Sequence, residues 1–169
     1  MSVLIAFYSR AGENYFGGEY RRVSVGNTEK AAKMIADLTG GELFKIEQEQ
    51  PYSEDYRTCT AEARADLKKS ARPKLKELPD SLDVYDEIYL GYPNYWGTMP
   101  MAVYSFLESF DFTGKTIHPF CTHEGSGLAG TVRDLQKAVP GANVAKGLAI
   151  CGSDVDKAEA ALAKWIGEA

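Results

Sequence analysis

Continuously apolar runs alternate along this chain with segments of helical period, a pattern that predicts a layered α/β domain. Val3 to Tyr8 is apolar throughout and mixes β-branched with aromatic residues, as in a strand covered on both faces. Asn27-Thr28-Glu29-Lys30 opens the first helix, with Ala31, Ala32, Ile35, Ala36 and Leu38 on helical spacing. Asn27 or Thr28 suits its N-cap, and Gly40-Gly41 closes it. Glu42 to Glu47 alternates and reads as a strand nearer an edge, Glu54 to Lys69 as an exposed helix, and Asp86 to Gly91 as a third strand. A helix over Met101 to Phe110 precedes a fourth strand, Thr116 to Cys121, made irregular by Pro119. Leu128 to Val139, Asn143 to Cys151 and Asp156 to Ile166 complete the series as helix, strand and helix, the last capped by Ser153 or Asp154.

Taken in turn, these elements imply a doubly wound five-stranded parallel sheet with helices on both faces and right-handed crossovers. The link between the first strand and the first helix departs from that plan. Such links usually take about 2–6 residues, whereas Ser9 to Gly26 is far longer. Gly17-Gly18, flanked by Tyr15-Phe16 and by Tyr20 to Val25, reads as a β-hairpin, an insertion over 13–25 in a single domain spanning 1–169. With the insertion set aside, Ser9-Arg10-Ala11-Gly12 faces Gly26-Asn27-Thr28 at the helix entrance. The free N–H groups and partial positive charge of a helix start favour a phosphate there, with Ser9, Asn27 and Thr28 as added donors and Arg10 as a neutralising charge. The alternative is an ordinary capped junction. Neither G-x-G-x-x-G nor a Walker loop is present, so nothing specifies a dinucleotide or nucleoside triphosphate.

Two more loops follow predicted strands. Gly91-Tyr92-Pro93-Asn94-Tyr95-Trp96-Gly97-Thr98-Met99-Pro100 presents large faces with polar tips on a constrained backbone. It suits a planar aromatic ligand, or a cap of tyrosine and tryptophan over the core. Thr122-His123-Glu124-Gly125-Ser126-Gly127 is small and polar, the character of a binding loop.

Composition narrows the classes. At 169 residues, 44% hydrophobic and 25% charged, the chain is an ordinary globular domain, and its net charge of -5 argues against generic nucleic-acid binding. No apolar run approaches the roughly 18 residues of a membrane span, and the chain enters its first strand without a basic leader, so a cytoplasmic location is expected. Cys59, Cys121 and Cys151 form no C-x-x-C pair and no metal-ligand cluster. They are expected as reduced thiols, with Cys121 and Cys151 as packing residues and no metal site. His123 is a candidate to protonate or orient a quinone-like acceptor, or else a hydrogen-bonding group of its loop, and His118 is expected to be structural.

Phe7-Tyr8-Ser9-Arg10 with Gly26-Asn27-Thr28 resembles the flavodoxin phosphate loop, interrupted by the hairpin. The loops at Gly91 to Gly97 and Thr122 to Gly127 look like the two isoalloxazine loops of that family. The resemblance spans almost the whole chain and implies a flavodoxin-like fold with strand order 2-1-3-4-5 and FMN as cofactor. Flavodoxin and its FMN are themselves the standard illustration of ligand binding at the switch point of such a sheet, so topology adds no independent identification of the cofactor. By resemblance, Ser9, Arg10, Ala11, Asn27 and Thr28 border the phosphate. Pro93, Asn94, Tyr95, Trp96 and Gly97, with Thr122, His123, Glu124, Gly125, Ser126 and Gly127, border the ring. The function implied is a flavodoxin-type electron shuttle serving redox partner proteins. A small FMN-dependent NAD(P)H:quinone-type oxidoreductase with a quinone-like acceptor is the first alternative, and a flavodoxin-like binding domain that has lost FMN the second. A phospho-acceptor module would need paired acids after the first strand and an Asp ending the third, which Tyr8-Ser9-Arg10 and Gly91-Tyr92-Pro93 do not offer. Glu124-Gly125-Ser126-Gly127 lacks the leading glycine of a serine hydrolase elbow.

Overall fold

The structure, a computed structural model, describes residues 2–169. Between β1 (Ser2–Phe7) and α1 (Asn27–Thr39) stands a hairpin of β2 (Gly12–Phe16) and β3 (Glu19–Val23). There follow β4 (Glu42–Lys45), α2 (Tyr56–Lys68), β5 (Tyr85–Pro93), α3 (Met101–Leu107), β6 (Thr116–His123) and α4 (Thr131–Ala138). β7 (Asn143–Val144), β8 (Leu148–Cys151), a 3-10 turn over Gly152–Lys157 and α5 (Glu159–Gly167) complete the chain. The parallel sheet runs β4-β1-β5-β6, with β7 and β8 both on the far side of β6. Leaving out the hairpin, which pairs only with itself, this is the order 2-1-3-4-5.

Alternation along β1 divides the core. Leu4 and Ala6 face a layer containing Phe106 of α3 and Leu135 of α4, while Ile5 and Phe7 face Ala31 and Ile35 of α1 and Leu162 and Trp165 of α5. Each fully buried large side chain contributes on the order of 1.5–3 kcal/mol, so both helical layers are firmly seated on the sheet.

The fifth strand is broken where the sequence predicts it whole. The Lys146 carbonyl accepts the Trp165 indole N–H at 2.9 Å, which draws the backbone out of the ladder between β7 and β8. Pro119 lies opposite that break, its missing donor directed where no strand is paired, so β6 runs unbroken through it. The helix starts also differ. Asn27 and Thr28 lie inside α1, whose cap position is Gly26, and the capping oxygen comes from outside the helix, since the Glu29 N–H donates to Ser9 Oγ at 3.0 Å. Ser153 does not cap α5, because its hydroxyl is drawn to Glu124 at 2.9 Å and the chain there winds into the 3-10 turn.

Candidate functional site

The carboxyl ends of β1, β5 and β6 are adjacent, and their three loops are bonded to one another. Thr28 Oγ1 and Thr122 Oγ1 lie 2.8 Å apart and are buried, joining the start of α1 to the end of β6. The Asn94 N–H donates to the Thr122 carbonyl, and its side-chain amide donates to the Gly127 carbonyl, both at 2.9 Å. The three segments are therefore joined in one hydrogen-bonded frame.

At the first loop Gly26 is packed so closely that an added Cβ would lie 2.3 Å from Ser9 Oγ and 2.5 Å from the Arg10 carbonyl oxygen. Ser9 Oγ accepts the Glu29 N–H and keeps its own hydrogen to donate. The Lys30 N–H is bonded to the Gly26 carbonyl, so the Asn27 and Thr28 N–H groups are the remaining donors of the first turn. Asn27 Oδ1 is buried without a partner. Such a set of donors at a helix start is an anion cradle.

Arg10 is engaged by neighbouring segments. Its guanidinium donates to the carbonyls of Glu13, Ser53 and Glu54 and to Asn14 Oδ1, so it clamps the hairpin base to the 53–54 segment. Its Nε is buried without a partner, and the residue also lines the cavity beside the second loop. Ala11 is exposed beside this clamp and offers no side-chain donor.

In the second loop Trp96 and Gly97 take left-handed backbone angles, φ 55° and 84°, within a turn closed by Tyr95 and Thr98. The turn sends its two aromatic residues different ways. Tyr95 packs edge-on against Tyr8, with ring centroids 5.9 Å apart, and burial pushes its phenol well above the ordinary range. Trp96 stays 51% exposed, donates its indole N–H to the Thr60 carbonyl at 2.9 Å and lies under the Arg64 guanidinium. Tyr95 is thus half-buried, packed against the core while lining the cavity, and Trp96 is a rim residue.

A cavity of about 490 Å³ opens beside this turn, with Tyr20 and Tyr56 on one side, Tyr95, Trp96 and Gly97 on the other, and Ser126 at its edge. Tyr20 and Asn14 reach it from the hairpin and Cys59 from α2, contributions that the loop motifs do not disclose. Their signal in the sequence is the aromatic content of the insertion itself. Two larger hollows, about 640 and 570 Å³, lie beside the edge strand around residues 45–54 and 65–76, and the second of them is also lined by Ser9, Arg10 and Ala11 of the first loop. We place the candidate site at the smaller one because Trp96, Asn94 and Ser126 bring two of the three switch-point loops to it.

The third loop mainly organises the frame. His123 Nδ1 accepts the Gly125 N–H at 2.8 Å, which leaves the ring proton on Nε2. Gly125 and Gly127, at φ 132° and 63°, reverse the chain. Glu124 is a latch: one carboxylate oxygen accepts the Gly17 N–H from the hairpin tip at 3.1 Å and the Ser153 hydroxyl at 2.9 Å. Its other oxygen is buried without a partner, and an added Cβ on Gly152 would come within 2.6 Å of it. Glu124→Ala is therefore expected to speed amide exchange at Gly17 by about ten- to a hundredfold, the value of one charge-assisted bond of roughly 1.5–3 kcal/mol. Unchanged exchange at Gly17 would show that something else holds the tip.

His118 is buried, stacked on Tyr89 with centroids 4.6 Å apart. Cys59 and Cys121 are buried and Cys151 half-buried, all as free thiols, and burial pushes Cys121 up to about 12. Among the described residues no His, Cys, Asp and Glu cluster could hold a metal, and no helix is long and apolar enough to cross a membrane.

Donors at a helix start and an aromatic-walled cavity thus lie at one edge of a doubly wound sheet. The flavodoxin family model matches residues 19–169, and the chain belongs to the flavodoxin family. That match begins inside the hairpin, so the first half of the split phosphate loop lies outside it. No curated protein matches the chain. Among solved structures it is similar to a protein of Bacteroides uniformis designated a flavoprotein, with 29% identity and a TM-score of 0.80, covering 98% of this chain and 97% of that one. A flavoprotein of Lactobacillus acidophilus in complex with FMN shares the fold at 22% identity and TM-score 0.66, over 92% and 97% of the two chains. An NADH:FMN oxidoreductase shares it at 16% identity and TM-score 0.59, over 99% and 88%. FMN is the cofactor that family membership implies, and the donors at Ser9, Asn27 and Thr28 together with the aromatic cavity fit its phosphate and its ring.

Proposed function

We propose that this flavodoxin binds FMN and works as an electron shuttle between redox partner proteins. The observation carrying this reading is the bonded frame that joins a helix start with unspent donors to the loop whose Asn94 and Trp96 line a cavity shared with Tyr20 and Tyr56. Bound FMN would supply the group that takes up and releases electrons. The Ser9 hydroxyl and the Asn27 and Thr28 N–H groups hold the phosphate, each charge-assisted bond contributing on the order of 1.5–3 kcal/mol. The aromatic side chains cover the ring and keep water from it, and the Thr28–Thr122 bond keeps cradle and cavity in register. Backbone groups of the second and third loops meet the polar edge of the ring and tune which redox state is held best.

The visible spectrum of the untreated purified protein tests the binding. Flavin absorption bands are expected, lost on removal of FMN and restored by adding it back. A colourless protein that gains no bands on incubation with FMN would overturn the reading in favour of a domain without the cofactor. Steady-state oxidation of NADH or NADPH with a quinone is expected to be absent, and sustained turnover would make the protein a reductase instead.

A further inference from the structure

Arg57, Arg64 and Lys68 of α2 recur at intervals of seven and four residues and so share one face of the helix. All three are exposed, and none forms an ion pair among the described residues. The helix keeps its carboxylates elsewhere: Glu62 accepts the Ser53 N–H at 2.8 Å and Asp66 the Tyr52 hydroxyl at 2.6 Å, both on the side facing the 52–53 segment. Asp55, at the helix start, is engaged as its cap by the N–H and hydroxyl of Thr58. A chain of net charge -5 thus carries a stripe of positive charge without salt bridges among the described residues, Arg57 being faced by the Tyr20 phenol and Asp55, and Arg64 by the Trp96 ring.

The position of the stripe gives it meaning. A shallow groove of about 350 Å³ runs along it, lined by Thr60, Arg64, Lys68 and Trp96. Thr60 and Trp96 also line the candidate flavin cavity, as does Arg57. The wall between groove and cavity is therefore one indole, fixed by its bond to the Thr60 carbonyl and stacked under Arg64. From Arg57 to Lys68 the stripe extends about 16 Å, at roughly 1.5 Å per residue. The stripe sets an exposed aromatic beside charges of one sign, the composition of a contact hot spot.

We propose that this face of α2, with Trp96, docks the acidic surface of a redox partner protein at the mouth of the flavin cavity. The net charge of -5 opposes such a partner over the molecule as a whole, so the stripe favours one orientation. That the partner exchanges electrons rests on the function proposed above, whereas the docking itself does not.

The test uses the purified protein as it comes, with an acidic ferredoxin as probe and a basic cytochrome c as control, binding being read from amide chemical shifts in low salt and in about 0.3 M salt, where charges are screened beyond a few ångströms. Ferredoxin is expected to shift the amides of 55–68 and the Trp96 indole N–H, with affinity falling at least tenfold in the higher salt. The variant R57Q/R64Q/K68Q should weaken binding about tenfold and R57E/R64E/K68E about a hundredfold, with unchanged circular dichroism. Absence of shifts, shifts centred away from α2, or equal binding by the charge-reversed variant would overturn the proposal. So would the same shifts produced by NADPH alone, which would make the face a small-anion site. Because shifts report docking whether or not flavin is bound, a failure here is distinct from a colourless protein.

Discussion

Replacing Gly26 with alanine is expected to weaken FMN binding by at least about a hundredfold while leaving the sheet intact. The backbone at Gly26, with φ -70° and ψ 162°, is open to any residue, so the requirement for glycine is one of space. An added Cβ would stand 2.3 Å from Ser9 Oγ, 2.5 Å from the Arg10 carbonyl oxygen and 2.9 Å from its carbon. Two of those three atoms are backbone and have no rotamer to escape into. The Ser9–Ala11 segment must then withdraw from the start of α1, which breaks the Ser9 cap on Glu29 and removes the serine hydroxyl from the cradle. One or two lost charge-assisted bonds amount to roughly 3 kcal/mol, or about two orders of magnitude in Kd. Fluorescence titration of FMN against the stripped protein measures the change. A Kd within threefold of wild type would mean that the phosphate lies elsewhere.

The same glycine illustrates what could be read from the sequence. The order of strands and helices was legible because burial on both faces of a parallel sheet imposes continuous apolar runs, as in Val3 to Tyr8, and amphipathic helices impose their own period. The three loops were legible because each follows such a run. What escaped the sequence depended on distant partners. Ser9 caps α1 from twenty residues away, Ser153 is taken by Glu124, and Lys146 gives its carbonyl to Trp165, so local capping and strand rules failed at those points. Arg10 beside a phosphate loop suggests a counter-charge, but three carbonyls of the hairpin base and the 53–54 segment claim it first. The hairpin itself is signalled by Gly17-Gly18, whereas its delivery of Tyr20 to the cavity follows from the Glu124 latch at its tip and the Arg10 clamp at its base, both contacts across long stretches of chain. Local pattern sets the elements, and side-chain hydrogen bonds between loops set the site.

The pair Gly91 and Phe120 offers the largest expected effect on stability and a test of the frame beneath the site. Phe120 is fully buried in the layer between the sheet and α1 and α5, packed against Trp165 with ring centroids 6.3 Å apart. Phe120→Ala removes that ring, at a cost of about 3–5 kcal/mol, the range for emptying an aromatic core position. Gly91 is its neighbour on β5, and an added Cβ there would fall 2.2 Å from Cζ of the Phe120 ring. Gly91→Ala should therefore cost about 1–3 kcal/mol by overpacking, because a ring enclosed by Tyr89, Trp165 and Ile5 has nowhere to retreat. The two changes are expected to offset each other in combination, since the new methyl occupies part of the space the ring vacates. Urea denaturation of both single variants and the double variant measures this, with a double variant at least about 1 kcal/mol more stable than the sum of the single losses. Simple additivity would show that the strand relaxes at Gly91 instead of pressing on the ring. In that case the Gly91 carbonyl, which accepts the Tyr8 N–H at 2.9 Å just before Ser9, would shift with it, and FMN affinity should fall in the Gly91 variant along with stability.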